Sequence, residues 1–389
     1  MKLFGSSLIL SGTALGAGML AIPMVLAQFG FFVSAGLMFV IFFGTTYAAL
    51  LLAEACTKTK QSTGMSSIAY FTLGRKGMHF MNLLFYLLLA CLMIAYIIGI
   101  GDLLHSMLLE VGINLSPFAG YTVFSLVMGL VVVAGKSYID KLNRGLFILM
   151  VAMLFVVIFS LFNHIEWANL NQESDFTAND VVQYSAVIFT SFASMVVIPS
   201  LVSYNQDATT KQIRNMVLLG SIIPLICYLT WLFAVIGNLG VDAVSQFENI
   251  SQLIAAFDAE TTMLKSVVAI FSALALITSY LGVSMALYDQ NKDAVTNNSA
   301  LAYVLTFILP LILATLFANQ FISMLDYAGM VLVFLAIWGP LAMVIKVRRP
   351  DFAHAHHSEE QTYTASGGQP ALVATFMFGA LIFVSWFMG

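Results

Sequence analysis

The sequence predicts an all-α integral membrane protein that forms a single transmembrane domain over residues 1–389, with eleven transmembrane helices. The composition is the first reason: 60% of the residues are hydrophobic and 9% are charged, whereas soluble domains are roughly 45–50% apolar and about 25% charged. The second reason is that apolar runs of about 20 residues, the length that crosses a membrane, recur along the whole chain. No polar stretch is long enough to form a separate soluble domain.

The apolar runs define the predicted transmembrane helices in order. Hydrophobic and polar residues do not alternate with a period of two along them, which argues against a transmembrane barrel. The predicted helices cover about residues 5–29, 32–56, 80–107, 118–136, 143–163, 181–204, 214–237, 264–288, 299–318, 322–346 and 370–388.

The basic residues predict the orientation, because cytoplasmic loops of membrane proteins are rich in Lys and Arg. With eleven spans, every Lys and Arg residue except Lys265 falls on one side of the membrane. That side is predicted to be cytoplasmic, which places the N-terminus inside and the C-terminus outside.

The first apolar run contains a glycine-rich stretch, Ser11-Gly-Thr-Ala-Leu-Gly-Ala-Gly18, that is poorly suited to a continuous helix. In hydrocarbon, backbone groups that leave the helix cost several kcal/mol each unless something satisfies them. Such a break in a membrane helix usually lines a cavity that holds a ligand.

A second break is predicted in the sixth apolar run. Phe189–Ser194 is followed by Met195-Val-Val-Ile-Pro199, much as the first break is followed by Met19-Leu-Ala-Ile-Pro23. Interrupted helices at matching positions of two halves indicate an inverted repeat with the binding site between them. The predicted repeats cover about 5–163 and 181–346, with an extra helix at about 370–388. The alternative is that Gly and Pro here serve only kinks and close packing.

The predicted breaks offer backbone sites for a small ligand that carries both a carboxylate and an ammonium. The half-helix that begins near Ala17 exposes N–H groups and the positive end of its dipole, which suits a carboxylate. Carbonyl groups freed at the ends of the preceding half-helices suit the ammonium. The carboxylate is assigned to the N–H groups of Ala17, Gly18 and Met19, with the Ser11 and Thr13 hydroxyls assisting and Gly16 and Gly18 permitting close approach. The ammonium is assigned to carbonyl groups of Ser11, Gly12, Thr13 and Ala14 in the first span and of Phe189, Thr190 and Ser191 in the sixth.

Other chemistries are not predicted. The three cysteines lie far apart in apolar runs and suggest neither disulfides nor a metal site. The histidines of His354–His357 lie in a polar loop beside Glu359 and Glu360 and are interpreted as solvated rather than metal-binding. Nucleotide-binding and hydrolase motifs are lacking. The sequence therefore predicts no enzyme, no metal, no cofactor, no nucleic acid and no obligate protein partner, only a small substrate and membrane lipid.

The first-span motif, Gly12-Thr-Ala-Leu-Gly-Ala-Gly-Met-Leu-Ala-Ile-Pro23, resembles that of the bacterial aromatic amino acid permeases. The resemblance extends over most of the chain and is closer to the tyrosine than to the tryptophan type. It includes Ala95-Tyr-Ile97, Phe189-Thr-Ser-Phe192, Thr278-Ser-Tyr-Leu-Gly-Val283, Tyr327-Ala-Gly329 and Gly367-Gly-Gln-Pro-Ala371.

This resemblance implies the leucine-transporter fold of the amino acid–polyamine–organocation superfamily, a five-plus-five inverted repeat with discontinuous helices 1 and 6. It also implies proton-driven symport of an aromatic amino acid, tyrosine first, into the cell across the bacterial inner membrane. The C-terminus would then be periplasmic. One departure bears on substrate choice and the proton route: the family usually carries a Gly-aromatic-His-Gly stretch where this chain has Ala193-Ser-Met-Val196.

Side chains around the breaks are expected to select the substrate and the coupling ion. Phe192, Tyr96, Tyr280 and Tyr327 are the candidates to contact an aromatic ring. Thr278 and Ser279 lie where related sodium-coupled carriers place hydroxyl ligands. Glu54 and Asp102, near the ends of their spans, are candidates for proton carriage.

Several alternatives remain open from the sequence. Proton coupling is favoured, with sodium second. The chain could instead be a sodium-coupled transporter of another neutral amino acid, or a sensor of the same fold that binds an amino acid without transporting it. A channel is disfavoured because an inverted repeat within one chain is typical of alternating-access carriers.

Overall fold

The computed structural model describes residues 2–59, 64–110, 112–133, 136–162, 164–172, 176–257, 262–294, 296, 298–350, 352 and 363–387. Regular structure within these ranges is entirely helical. This follows from the apolar composition, because a backbone in hydrocarbon must satisfy its hydrogen bonds internally, and a helix does so within one segment. The His354–His357 loop lies outside the described residues.

The described residues up to Tyr204 form ten α-helices. They are α1 (Lys2–Ala14), α2 (Ala17–Leu26), α3 (Gly30–Thr59), α4 (Met65–Glu110), α5 (Pro117–Val133), α6 (Lys136–Phe162), α7 (Trp167–Leu170), α8 (Ala178–Gln183), α9 (Ser185–Ser191) and α10 (Ile198–Tyr204).

From Thr210 onward, nine further α-helices lie within the described ranges. They are α11 (Thr210–Leu239), α12 (Val241–Val244), α13 (Ile250–Ala256), α14 (Thr262–Ala294), α15 (Ser299–Tyr303), α16 (Leu309–Leu316), α17 (Phe321–Leu332), α18 (Gly339–Val347) and α19 (Gly368–Ser385).

Two glycines divide the longest helical stretches. Gly30 (φ 69°) separates α3 from the short 3₁₀ turn Ala27–Phe29, and Gly74 (φ 77°) interrupts α4 near its start. Both backbones lie in the left-handed region, which glycine adopts at little cost. The predicted join at Gly30 is therefore present in the structure.

Two π-helical turns each precede a proline that explains them. Val304–Ile308 joins α15 to α16, and Val333–Trp338 joins α17 to α18. Pro310 and Pro340 follow at the second positions of α16 and α18. A proline has no N–H and its ring clashes with the carbonyl four residues earlier. The wider π turn relieves that clash while the helix continues.

Nine helical stretches in the described part of the chain are long and apolar enough to cross a membrane. Two shorter apolar helices, Leu3–Ala14 and Pro117–Val132, accompany them. One of the nine, Gly18–Thr59, passes through Gly30 and so contains parts of two predicted spans. Described helices overlap all the predicted intervals, while the assignment of eleven transmembrane spans stays a prediction.

The discontinuous helices lie inside the bundle. α1 packs along α11, α2 packs against α9, and α14 lies between α4 and α6. α17 contacts both α4 and α9. Residues of α2 are almost entirely buried, so the first break is enclosed by other helices rather than by lipid.

A buried ion-pair cluster joins the end of α3 to the end of α18. The Glu54 side chain is fully buried and accepts hydrogen bonds from Lys58 Nζ (2.8 Å) and from Arg348 Nε (2.8 Å) and Nη2 (2.6 Å). The Ala365 N–H donates to the same carboxylate at 2.9 Å, and Tyr47 donates to the neighbouring Ser366 carbonyl at 2.7 Å. The cluster therefore fixes the segment before α19 against α3.

We expect Glu54→Gln to destabilise the protein by roughly 3 kcal/mol, because it leaves two cations at a largely buried site without their counter-charge. The measurement is the thermal unfolding of the purified protein in detergent. The control is Glu248→Gln, since Glu248 is exposed. Equal melting temperatures for the two variants would contradict a structural role for the cluster.

Candidate substrate site

The first discontinuous helix breaks at Leu15 and Gly16, between α1 and α2. Gly16 is the N-cap of α2 and provides no side-chain cap. The Met19 N–H donates to the Gly16 carbonyl at 3.0 Å. The Met19 N–H, which is predicted to bind the carboxylate, is thus used within the first turn. Ala17 and Gly18 remain the predicted donors, and the Ala17 side chain lies outside the described residues.

The second discontinuous helix breaks between α9 and α10. The chain leaves α9 at Ser191, passes Ala193 (φ −81°, ψ 51°) and forms a 3₁₀ turn over Ser194–Val197. Within this break the Phe192 N–H donates to the Phe189 carbonyl at 3.1 Å, and the Ala193 N–H donates to the Thr190 carbonyl at 3.2 Å. Two of the three predicted ammonium acceptors in this segment are thus already hydrogen-bonded by the turn itself.

The two breaks contact each other directly. The Ser191 hydroxyl donates to the Gly18 carbonyl at 3.0 Å. A Cβ atom on Gly18 would lie 2.8 Å from Ser191 Cα, so only glycine permits this approach. Gly18 was predicted to let a ligand approach; the structure shows that it also lets the second broken helix approach.

Tyr228 of α11, which the sequence analysis missed, joins the same two breaks. Its hydroxyl lies 2.6 Å from the Ala14 carbonyl and 2.7 Å from the Ser191 carbonyl. These two residues are the last of α1 and of α9. Tyr228 carried no sequence signal, because it is one of 14 tyrosines and lies in an otherwise apolar helix.

A cavity of about 950 Å³ extends from the breaks toward the end of the bundle where α1 begins. Ten of the predicted site residues line it. They are Gly12, Thr13, Ala14, Gly16, Gly18, Tyr96, Thr190, Ser191, Thr278 and Ser279. Its size lies within the range of small-molecule sites, about 300–1,000 Å³.

The cavity wall combines apolar side chains with scattered polar groups. Thr13 donates to the Ile9 carbonyl at 2.9 Å, and the Thr190 hydroxyl lies 2.9 Å from the carbonyls of both Ala186 and Leu325. The wall also contains residues that the sequence analysis did not select. They include Phe85, Leu88, Leu92, Asn143, Arg144, Phe147, Val196 and Ser200. Arg144 and Asn143 lie near the start of α6, at the far end of the cavity from the breaks.

Three of the four aromatic candidates do not line this cavity. Tyr280 is buried against Phe124, with ring centroids 4.8 Å apart. Tyr327 is 39% exposed on the surface of the bundle. Phe192 packs edge-on against Tyr228 at 5.0 Å and lines a separate, water-sized cavity. Of the four, only Tyr96 lines the larger cavity. The rotation of each helix about its axis decides where a ring points, and this rotation cannot be read from a single residue in the sequence.

Two other predicted residues also point elsewhere. The Phe189 ring is fully buried and contacts Phe378 of α19, with centroids 6.2 Å apart. The Ser11 hydroxyl lies within hydrogen-bond distance of the carbonyls of Ser7 (2.9 Å) and Gly220 (3.0 Å), and so it faces α11. Both residues pack next to the breaks against other helices and do not line the cavity.

Thr278 and Ser279, the hydroxyl candidates for ion coupling, lie on the cavity wall opposite the first break. The Thr278 hydroxyl donates to the Leu274 carbonyl at 2.8 Å. Ser279 and Tyr96 line the same cavity. A Cβ atom on Gly16 would clash with Ser279 Oγ, so α14 packs directly on the break.

The two carboxylate candidates lie outside the cavity wall. Glu54 is held in the ion-pair cluster at the end of α3. Asp102 is mostly buried, with one oxygen accepting a hydrogen bond from the Tyr121 hydroxyl at 2.9 Å. Its other oxygen has no hydrogen-bond partner among the described residues. Groups of three or more potential metal ligands are absent from the part of the chain that the structure describes.

Comparison with known proteins identifies the family. Residues 1–386 match the tryptophan/tyrosine permease family. The chain is 52% identical to glutamine transporter 2 of Aliivibrio fischeri, over 99% of each chain. It is 32% identical to tyrosine-specific transport system 1 of Haemophilus influenzae, over 98% of this chain and 95% of the relative.

A third relative, the low affinity tryptophan permease of Escherichia coli, is 25% identical over 99% of this chain and 95% of its own length. The relatives are transporters, as the broken helices and the cavity suggested, and the substrates in their names differ. The chain belongs to the tryptophan/tyrosine permease family, and it is a multi-pass inner-membrane amino acid permease rather than an enzyme.

Proposed function

We propose that this permease is a secondary active symporter that imports a neutral amino acid by alternating access. The observation that carries the proposal is the meeting of two helix breaks at one end of the 950 Å³ cavity. Backbone groups freed at such breaks suit the charges of a free amino acid.

The proposed topology is the leucine-transporter type, with eleven spans in a five-plus-five inverted repeat and an extra helix. The matching positions of the α1–α2 and α9–α10 breaks, each followed by Met-x-x-Ile-Pro, support it. The Lys and Arg distribution favours a cytoplasmic N-terminus and a periplasmic C-terminus.

With this orientation the cavity extends toward the cytoplasm. Away from the breaks it is lined by Leu8 in the middle of α1, Arg144 in the first half of α6 and Ser200 in α10. These positions lie on the side that the basic residues assign to the cytoplasm. The conformation is therefore proposed to be inward-facing.

The proposed substrate contacts use the backbone. The carboxylate binds at the start of α2, where the Gly16 N-cap leaves the first N–H groups, those of Ala17 and Gly18, without a side-chain partner. The ammonium binds at the carbonyls of Ala14 and Ser191, the negative ends of α1 and α9. This arrangement accepts any L-amino acid and leaves side-chain selection to the wall.

L-Glutamine is the first substrate that we propose. The high identity to a protein named as a glutamine transporter supports it. So does the wall, where three of the four predicted aromatic contacts are missing and hydroxyl and amide groups are present. L-Tyrosine is the second candidate, supported by the relatives named for tyrosine and by the rings of Phe85, Tyr96 and Phe147.

The proposed coupling ion is the proton, with sodium second. The proton rests on the family resemblance, and sodium rests on the two adjacent hydroxyls, Thr278 and Ser279, beside the first break. Oxygen ligands of this kind suit hard cations. The uptake measurement below distinguishes the two ions.

We expect proteoliposomes of the purified protein to accumulate labelled L-glutamine when an inward proton gradient is imposed. A protonophore should abolish the accumulation, and replacing external sodium with potassium should leave it unchanged. Unlabelled tyrosine should compete less well than unlabelled glutamine. Empty liposomes are the control.

Each contrary outcome overturns a separate part of the proposal. Uptake that requires sodium and survives the protonophore would show that sodium, and not the proton, is the coupling ion. Stronger competition by tyrosine would reverse the order of substrates. Saturable binding without flux would indicate a sensor of the same fold.

We expect Gly18→Ala to reduce glutamine affinity by about tenfold or more. The added methyl would meet the Ser191 backbone at 2.8 Å, and such overpacking costs roughly 1–3 kcal/mol, where 1.4 kcal/mol is a factor of ten. The control is Gly36→Ala, because a Cβ atom there has no neighbour within 4 Å. Equal affinities for the two variants would exclude a role for this contact in binding.

A further inference from the structure

Tyr228 lies behind the two helix breaks and is completely buried. Its hydroxyl contacts the Ala14 and Ser191 carbonyls at 2.6 and 2.7 Å, and its ring packs edge-on against Phe192. Ala14 and Ser191 line the cavity, whereas Tyr228 does not. The hydroxyl therefore reaches the two carbonyls from a position outside the cavity wall.

The two carbonyls differ from their neighbours in the breaks. The carbonyls of Phe189 and Thr190 accept N–H groups of the turn, and the Gly16 carbonyl accepts the Met19 N–H. Ala14 and Ser191 end their helices, where carbonyl groups lack an intrahelical partner and carry partial negative charge. Tyr228 supplies the hydrogen bond that the helices do not.

A tyrosine hydroxyl has one proton, so it can donate to only one of the two carbonyls at a time. An ammonium group has three protons and can donate to both carbonyls from the cavity side. Tyr228 thus holds the Ala14 and Ser191 carbonyls close together, while the two carbonyl oxygens can still accept further hydrogen bonds. A cation with several donors complements such a pair.

We propose that Tyr228 is a positioning residue, which holds the Ala14 and Ser191 carbonyls at the spacing that accepts the substrate ammonium. This inference rests on the proposed function, since it concerns how the permease recognises a free amino acid. Tyr228 does not touch the substrate. It acts through the two carbonyls and makes recognition depend on the ammonium rather than on the side chain.

The test is Tyr228→Phe, which keeps the ring that packs on Phe192 and removes the hydroxyl. We expect the apparent affinity for L-glutamine to fall by roughly tenfold, the effect of losing a hydrogen bond of about 1–1.5 kcal/mol. The second ligand is glutaramate, which is glutamine without the ammonium group. Its inhibition constant should stay unchanged, so the preference for glutamine over glutaramate should narrow by the same factor.

Two matched variants separate positioning from general damage. Tyr303→Phe removes the hydroxyl of a tyrosine that packs on Phe307 in a helix outside the cavity wall, and it should leave both affinities unchanged. Ser191→Ala removes the other hydrogen bond between the breaks. If that bond only holds the helices together, its loss should reduce the affinities for glutamine and for glutaramate by the same factor. Melting temperatures and size-exclusion profiles check that each variant is folded.

An unchanged glutamine affinity in Tyr228→Phe would overturn the inference. So would an equal loss for glutamine and glutaramate, which would show that the hydroxyl serves only packing. If the wild-type protein prefers another amino acid, the same comparison uses that amino acid and its analogue without the ammonium. Failure of the proposed substrate is thereby distinguished from failure of the Tyr228 assignment.

Discussion

The structure depends on one constraint: a backbone that leaves the helix inside a membrane must find hydrogen-bond partners there. This chain breaks two helices in the centre of its bundle and brings the breaks together. Ser191 donates to the Gly18 carbonyl, and Tyr228 contacts the last carbonyls of α1 and α9. Part of the polar backbone is therefore satisfied by protein, and the remainder faces a cavity.

The same constraint explains the roles of the glycines. Gly16 lies against Ser279 and Gly18 lies against Ser191, so that α14 and α9 both approach the first break closely. Small residues at helix contacts are typical of membrane proteins, where close packing replaces the hydrophobic driving force. The glycines thus shape the site by admitting neighbouring helices as well as a ligand.

Charge is used differently at the proposed substrate site and at the end of α3. At the proposed substrate site the groups nearest the breaks are neutral dipoles, which recognise a charged ligand without a permanent counter-ion. At the end of α3, full charges are paired: Glu54 with Lys58 and Arg348. The hydrogen bond to Glu54 raises the pKa of the Arg348 guanidinium, so this cation stays charged at all physiological pH values. The paired charges hold helices together, whereas the proposed substrate site uses neutral backbone groups.

The sequence by itself determined the helical membrane class, the family and the positions of both breaks. The class follows from the length of the hydrophobic runs, the family from its motifs, and the breaks from small residues within two of the runs. Each of these features is local along the chain. The sequence also selected Gly16, Thr190 and Ser279, which line the cavity. Only the tertiary structure decided that Phe192, Tyr280 and Tyr327 point away from the cavity, since helix rotation is set by packing between distant segments. For the same reason it alone revealed Tyr228, whose hydroxyl meets carbonyl groups 214 and 37 residues away in the sequence.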